Sequence, residues 1–173
     1  MPLLGYNPAC GSRSGSVNKL YLALASEVDS LSLASGEKFY DTITMTATNV
    51  FKEYKFEKDT AELRFSDSRE NGSFKSDAVI EIMMPKLSQA SRDAIQEIAD
   101  NSNCGLIAIV EDANGNKWVV GYSEKHAKAR PLEMRTNEGT VGKGLTDANG
   151  DTLILGCDAG EKFRTFTGTV PTS

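Results

Sequence analysis

Asp112-Ala113-Asn114-Gly115-Asn116-Lys117-Trp118-Val119-Val120-Gly121-Tyr122 returns 35 residues later as Asp147-Ala148-Asn149-Gly150-Asp151-Thr152-Leu153-Ile154-Leu155-Gly156-Cys157. Each copy is an Asn-Gly pair, then an apolar run, then a glycine. Asn-Gly suits the type I′ turn, whose two central positions need φ > 0, and it is the strongest short-range hairpin signal. The duplication therefore predicts hairpins, and hairpins predict a β scaffold. The two copies read as matched turns that close a β-body.

Working outward, the apolar run 106–110 pairs with 117–122 across the first turn. Residues 132–141 form a strand, 145–155 a second, shorter hairpin, and 163–170 an alternating strand that closes the chain. Upstream, the β-rich region opens at 19–24, and period-two alternation marks strands at 29–33 and 42–46. The same period marks 50–56, with one slip that a bulge would explain, and 61–66. The apolar stretch 78–84 is a further strand that stops before Pro85. One helix is predicted over 87–101, because Leu87, Ala90, Ala94, Ile95 and Ile98 recur at helical spacing. Ser88 is its N-cap candidate, Ser91 the rival, and residues 101–105 supply the stop. The fold class is mainly β with one α-helix: a β-sandwich or barrel with the helix packed on it, a long inter-strand loop and an extended N-terminal arm.

At 173 residues the chain suits one domain, 19–173, preceded by the glycine- and serine-punctuated arm 1–18. A formal net charge of −5 argues against gripping a nucleic-acid backbone, while leaving a surface that DNA slides past. No apolar run approaches the roughly 18 residues of a membrane span, so no membrane partner is expected. The N-terminus shows no basic region followed by an apolar one, so no leader is expected. Cys10, Cys104 and Cys157 have no metal-ligand spacing and read as buried, reduced thiols of a cytosol-made protein. A Cys10–Cys157 or intersubunit bridge is the alternative.

Candidate chemistry is sparse. Asp112, Asn114 and Asn116, and again Asp147, Asn149 and Asp151, place oxygens at every second residue, as the first half of a calcium loop does. The twelfth positions are Ser123 and Asp158 rather than a bidentate Glu, and strand-like residues follow at once. A plain turn outweighs a calcium loop, and no cofactor is expected. His126 is the only histidine, beside Glu124, Lys125 and Lys128, with no second histidine for zinc and no nucleophile elbow. The glycine-rich 139–144 lacks the spacing and following helix of a phosphate loop. Trp118, Phe163 and Phe166 sit at alternating strand positions without interleaved basic residues, which favours core or interface over base stacking. Met83 and Met84 are core filling. The reading is non-enzymatic.

The stretch Ser66-Asp67-Ser68-Arg69-Glu70-Asn71-Gly72-Ser73-Phe74-Lys75-Ser76-Asp77 has strand-like ends and reads as a long polar projecting loop. Such loops in compact domains are functional or disordered. With the arm it gives two extensions on a rigid β-body, a pattern that suits assembly by overlap and by strand addition at sheet edges.

In this order of elements the chain resembles the phage major tail tube proteins and the tube proteins of contractile injection machines. The segments around EDANGNKWVVGYS and GLTDANGDTLILGCDAGEKF are similar to virion proteins of Bacteroidetes phages. The resemblance implies a virion tail protein made in the host bacterial cytoplasm. Six subunits would join sheets into an inner barrel, and the rings would stack around an acidic lumen that conducts DNA as a non-specific passenger. Its partners would be copies of itself and other tail or head-tail proteins. By position in the element order, residues 66–77 and the arm, including Tyr6 and Arg13, would make the intersubunit contacts. A capsid decoration or head-tail connector protein shares these features; a calcium-binding β module and an enzyme are more distant alternatives. The side of each strand that faces the lumen stays open, because a one-residue shift exchanges the faces.

Overall fold

The computed structural model describes residues 3, 5–8, 10–11 and 14–172. Its elements are β1 (Val17–Leu24), β2 (Val28–Leu33), β3 (Tyr40–Met45), β4 (Lys52–Tyr54), β5 (Glu62–Glu70), β6 (Ser73–Pro85), α1 (Gln89–Ser102), β7 (Leu106–Asp112), β8 (Lys117–Val120), β9 (Glu133–Thr140), β10 (Gly150–Ala159) and β11 (Thr165–Phe166). They form a seven-stranded sheet, β2-β3-β11-β8-β7-β1-β4, and a four-stranded sheet, β5-β6-β10-β9. The sheets remain separate, so of sandwich and barrel the chain is sandwich-like.

The apolar run 106–110 explains the layering. All five residues are buried, so β7 has no solvent face. Leu106, Ala108 and Val110 join Leu20 and Leu22 of β1 against Ile80, Ile82, Leu153 and Leu155 of the four-stranded sheet. Ile107 and Ile109 point the other way, into a second core with Tyr21, Val28, Tyr40, Phe51 and Phe166. A continuous rather than alternating apolar run is what burial on both faces requires.

Helix α1 lies on the inner side of the four-stranded sheet, with Ile95 and Ile98 buried in the first core. Both N-cap candidates are used. Ser88 caps, and Ser91 at the third helical position completes a reciprocal capping box. At the other end, the buried Ser102 hydroxyl accepts from Met134 N at 2.7 Å, tying the helix to β9.

Several expectations are corrected. Residues 66–77 are not a loop: they belong to β5 and β6, which pair in register from Glu62↔Glu81 to Glu70↔Ser73. The hairpin closes through Asn71 and Gly72, at φ 49° and 78°, and this is where the two-residue Asn-Gly turn actually occurs. The stretch looks loop-like because both of its faces meet solvent, leaving no apolar alternation to read.

The repeated segments, by contrast, adopt different structures. In the first, Gly115 N donates to Asp112 O, Asp112 N donates to Asn116 O, and Gly115 has φ 85°. That is a three-residue turn with its glycine in the left-handed region, rather than type I′. In the second, Gly150 is already in β10 opposite Thr140 of β9. The expected 145–155 hairpin is therefore a β9–β10 hairpin with the connection 141–149. Glycine is needed at 150 because an added Cβ would collide with the Met84 carbonyl. The closing strand is also shorter than expected, pairing only at Thr165 and Phe166.

Candidate functional site

The four-stranded sheet has the longer free edges; those of the seven-stranded sheet, β2 and β4, are six and three residues long. The edges of the four-stranded sheet, β5 of nine residues and β9 of eight, have no strand beyond them among the described residues. Successive antiparallel pairing makes β5 and β9 run in opposite directions. Its inner face carries Ala78, Ile80, Ile82, Leu153 and Leu155 into the core. Among the described residues no helix or strand is packed on the outer face, although Arg130 of the 121–132 connection reaches it at Asp158. There the register places Glu62, Glu81, Glu133 and Glu138 among Arg64 and Arg135, around half-buried Val79 and Ile154. The β9 bulge falls at Arg135, whose guanidinium lies over Gly156 and holds both oxygens of Asp77, at 2.6 and 3.2 Å. An alanine at 156 would displace it.

Ion pairs fix the hairpin base. Asp158 takes Arg130 at 2.5 Å and Lys75 at 3.6 Å. Asp67 takes Lys162 at 2.7 Å and the Ser76 hydroxyl at 2.6 Å. Lys162 and Ser76 hold the Asp67 carboxyl below the usual range. For Asp158 burial works in the opposite sense but is outweighed by Arg130 and Lys75, and for Glu161 by Arg164 and the Lys125 amide.

These depressed carboxyls fix the sign of the acid response. A carboxyl whose folded pKa lies below its unfolded one contributes stability that is complete above the unfolded value of about 4 and lost as pH falls through the folded value. The melting temperature is expected to be level down to about pH 5 and to fall below about pH 4. A melting temperature that rises between pH 5 and 3 would contradict the assigned network.

The six calcium-candidate residues are not brought together for one ion. Asp112 accepts from Asn114 N, Asn116 N, Asn116 Nδ2 and Trp118 Nε1, at 2.9 to 3.2 Å. Burial of Asp112 would raise its pKa, but these donors outweigh it and lower the value. Asn114 grips the arm: its Oδ1 accepts from Ser14 N at 3.2 Å, and its Nδ2 donates to Ser14 O at 2.8 Å. Asp147 accepts from the amides of Lys143 and Gly144, which folds the 141–149 connection on itself. Asn149 Oδ1 accepts from Leu87 N at 2.9 Å, just ahead of the helix.

Asp151 is fully buried, bound to Arg92 at 2.9 Å and Ser91 Oγ at 3.1 Å. No acidic residue lies in the first turn of α1, so Asp151 brings the negative charge that the helix N-terminus favours from a neighbouring strand. Gly139 makes the space, since a Cβ there would strike the Asp151 carboxylate. Among the described residues no cluster of three or more His, Cys, Asp or Glu suits a metal.

Of the intersubunit candidates, residues 66–75 are exposed along the hairpin, Ser76 is buried and Asp77 half-buried. Tyr6 is exposed on the arm, and Arg13 lies outside the described residues. His126 is half-buried in a turn, its amide donating to Ser123 Oγ. Cys10 and Cys104 are exposed rather than buried, whereas Cys157 is buried and its thiol is pushed up to about 12 by burial. Phe65, not singled out from the sequence, stacks on Phe163 at 5.6 Å and meets Trp118 at 5.4 Å. Its alternation with Leu63 was the available signal. No helix among the described residues is long and apolar enough to cross a membrane. No known protein family, no curated protein and no solved structure matches this chain.

Proposed function

We propose that this chain is a self-assembling structural subunit of a phage tail tube, in which the four-stranded sheets of neighbouring copies join around a lumen. The observation that carries this reading is the pair of long free edges running in opposite directions. Rotation about an axis along the strands sets β5 of one copy against β9 of the next in antiparallel order. The ladder then continues through every subunit, and no edge of the four-stranded sheet is left when the ring closes. Sixfold closure follows the family resemblance and is not needed for the argument.

The uncovered outer face becomes the lumen wall. Its acidic residues (Glu62, Asp77, Glu81, Glu133, Glu138 and Asp158) outnumber Arg64, Lys75, Arg130 and Arg135, which favours passage of DNA without adhesion because like charges repel. The function is then shape, carried by copies of the chain together with other virion proteins, and involves no catalysis. β6, at thirteen residues, spans roughly 40 Å, so with strands tilted as in barrels a ring is roughly 30–40 Å tall. Negative-stain microscopy of the purified chain is expected to show rings, or tubes with that axial repeat. Isolated particles at every concentration would overturn the reading and favour a decoration or connector subunit.

A further inference from the structure

We infer that the N-terminal arm of one copy inserts Leu3 and Tyr6 into a cleft beside Trp118 of a second copy. The inference rests on the self-assembly reading above and names one contact within it. The cleft, of about 300 Å³, opens between the two sheets; Leu63, Phe65, Val110 and Trp118 form its apolar side, while Glu62, Asp112 and residues 14–16 at the root of the chain's own arm line the rest. One side of it is apolar and aromatic, and Phe65 there remains 39% exposed. Two large side chains of the arm, Leu3 at 100% and Tyr6 at 85% exposure, are left in water. An aromatic anchor in a preformed apolar pocket is the usual centre of a binding surface.

The direction of the chain decides whose arm fills whose cleft. β1 is antiparallel to β7, with Val17 opposite Asp112, so the chain traced backwards from Val17 runs out past the 113–116 turn. There the exit is fixed. Asn114 brackets the Ser14 backbone with two hydrogen bonds, and Ala113 N donates to Ser16 O at 3.1 Å. These bonds aim the arm off the end of the sandwich, and its described residues from Leu3 to Gly11 are all exposed. Ten extended residues reach roughly 30 Å, enough to cross to a neighbour.

The Trp118 indole, the sole tryptophan, reports occupancy directly. The full-length chain carrying Leu3→Ser and Tyr6→Ala is mixed with a synthetic peptide of residues 1–12. Emission is expected to shift to the blue and saturate, and a peptide carrying the same two substitutions is expected to bind at least about tenfold more weakly. Unchanged emission with the native peptide would overturn the inference. So would an emission difference between wild type and the double variant that persists under dilution to single subunits, because the chain's own arm would then fill the cleft. Melting curves of wild type and double variant should coincide at dilutions where the subunits are single, since both positions are exposed there. Microscopy of the wild type separates the two readings: a Trp118 response without rings retains this contact and removes the tube, whereas rings without the response do the reverse.

Discussion

Replacing Arg92 by alanine is expected to destabilise the subunit by about 3 kcal/mol in urea unfolding, far more than loss of an ordinary surface arginine. Asp151 is fully buried and is held by Arg92 and the Ser91 hydroxyl. The hydroxyl has one proton and also lies 2.9 Å from the Ser88 carbonyl, so it cannot replace the guanidinium. Removing Arg92 leaves a carboxylate in the interior with its charge uncompensated. Arg92 is itself half exposed, which places the cost at the lower end of the range for broken buried pairs. Asp151→Asn is expected to cost less, about 1–2 kcal/mol, because a neutral amide can still bond Ser91. The double variant should be more stable than the sum predicts, since the two losses share one interaction. An Arg92→Ala stability within about 0.5 kcal/mol of wild type would contradict the assigned pair.

If the chain assembles as proposed, shortening the β5–β6 hairpin is expected to abolish tube formation while leaving the fold intact. Deleting Ser68, Arg69, Glu70, Ser73, Phe74 and Lys75 leaves Asp67-Asn71-Gly72-Ser76. Asp67 and Ser76 are already register partners, so the Asn-Gly turn closes on a pair of the right geometry. Every deleted residue is exposed, and the one ion pair lost, Lys75–Asp158, is a surface contact. The stability change should stay within about 1 kcal/mol. The cost falls on assembly, because three of the nine residues of the β5 edge disappear with the tip. Sedimentation and negative-stain microscopy would read the result. Tubes of wild-type length from the shortened chain would remove the hairpin from the assembly surface.

The fold class was legible because the strongest signals were local. The helix at 87–101, the apolar run at 106–110 and the alternation of β2, β3 and β6 each report the face that a segment buries. Identical local sequence misled where context decided. Asn116 and Asp151 occupy the same place in the two repeats, yet one sits in a turn and the other is fully buried beneath the helix. The difference lies in what precedes each copy: a strand that turns at once, or a connection of several residues that delivers Gly150 directly into β10. Asn71-Gly72 carried the same signal as the repeats but lay within polar residues, where exposure on both faces erased the period of two.

The candidate site was the least legible part. Free edges belong to the pairing order of β5, β6, β10 and β9, and no window of residues records which strand lacks a neighbour. The Arg92–Asp151 pair and the Asn114 grip on Ser14 join positions far apart in the chain. A motif cannot reveal either.

Because β7 is walled in on both sides, its amides should be the last to exchange with heavy water. Neither core can open without removing support from the other, so the two layers behave as one cooperative unit. The arm and the hairpin tip lie outside that unit and can open locally at little cost. A fold built this way can let its exposed hairpin tip loosen and reorder while the wall between its cores stays closed.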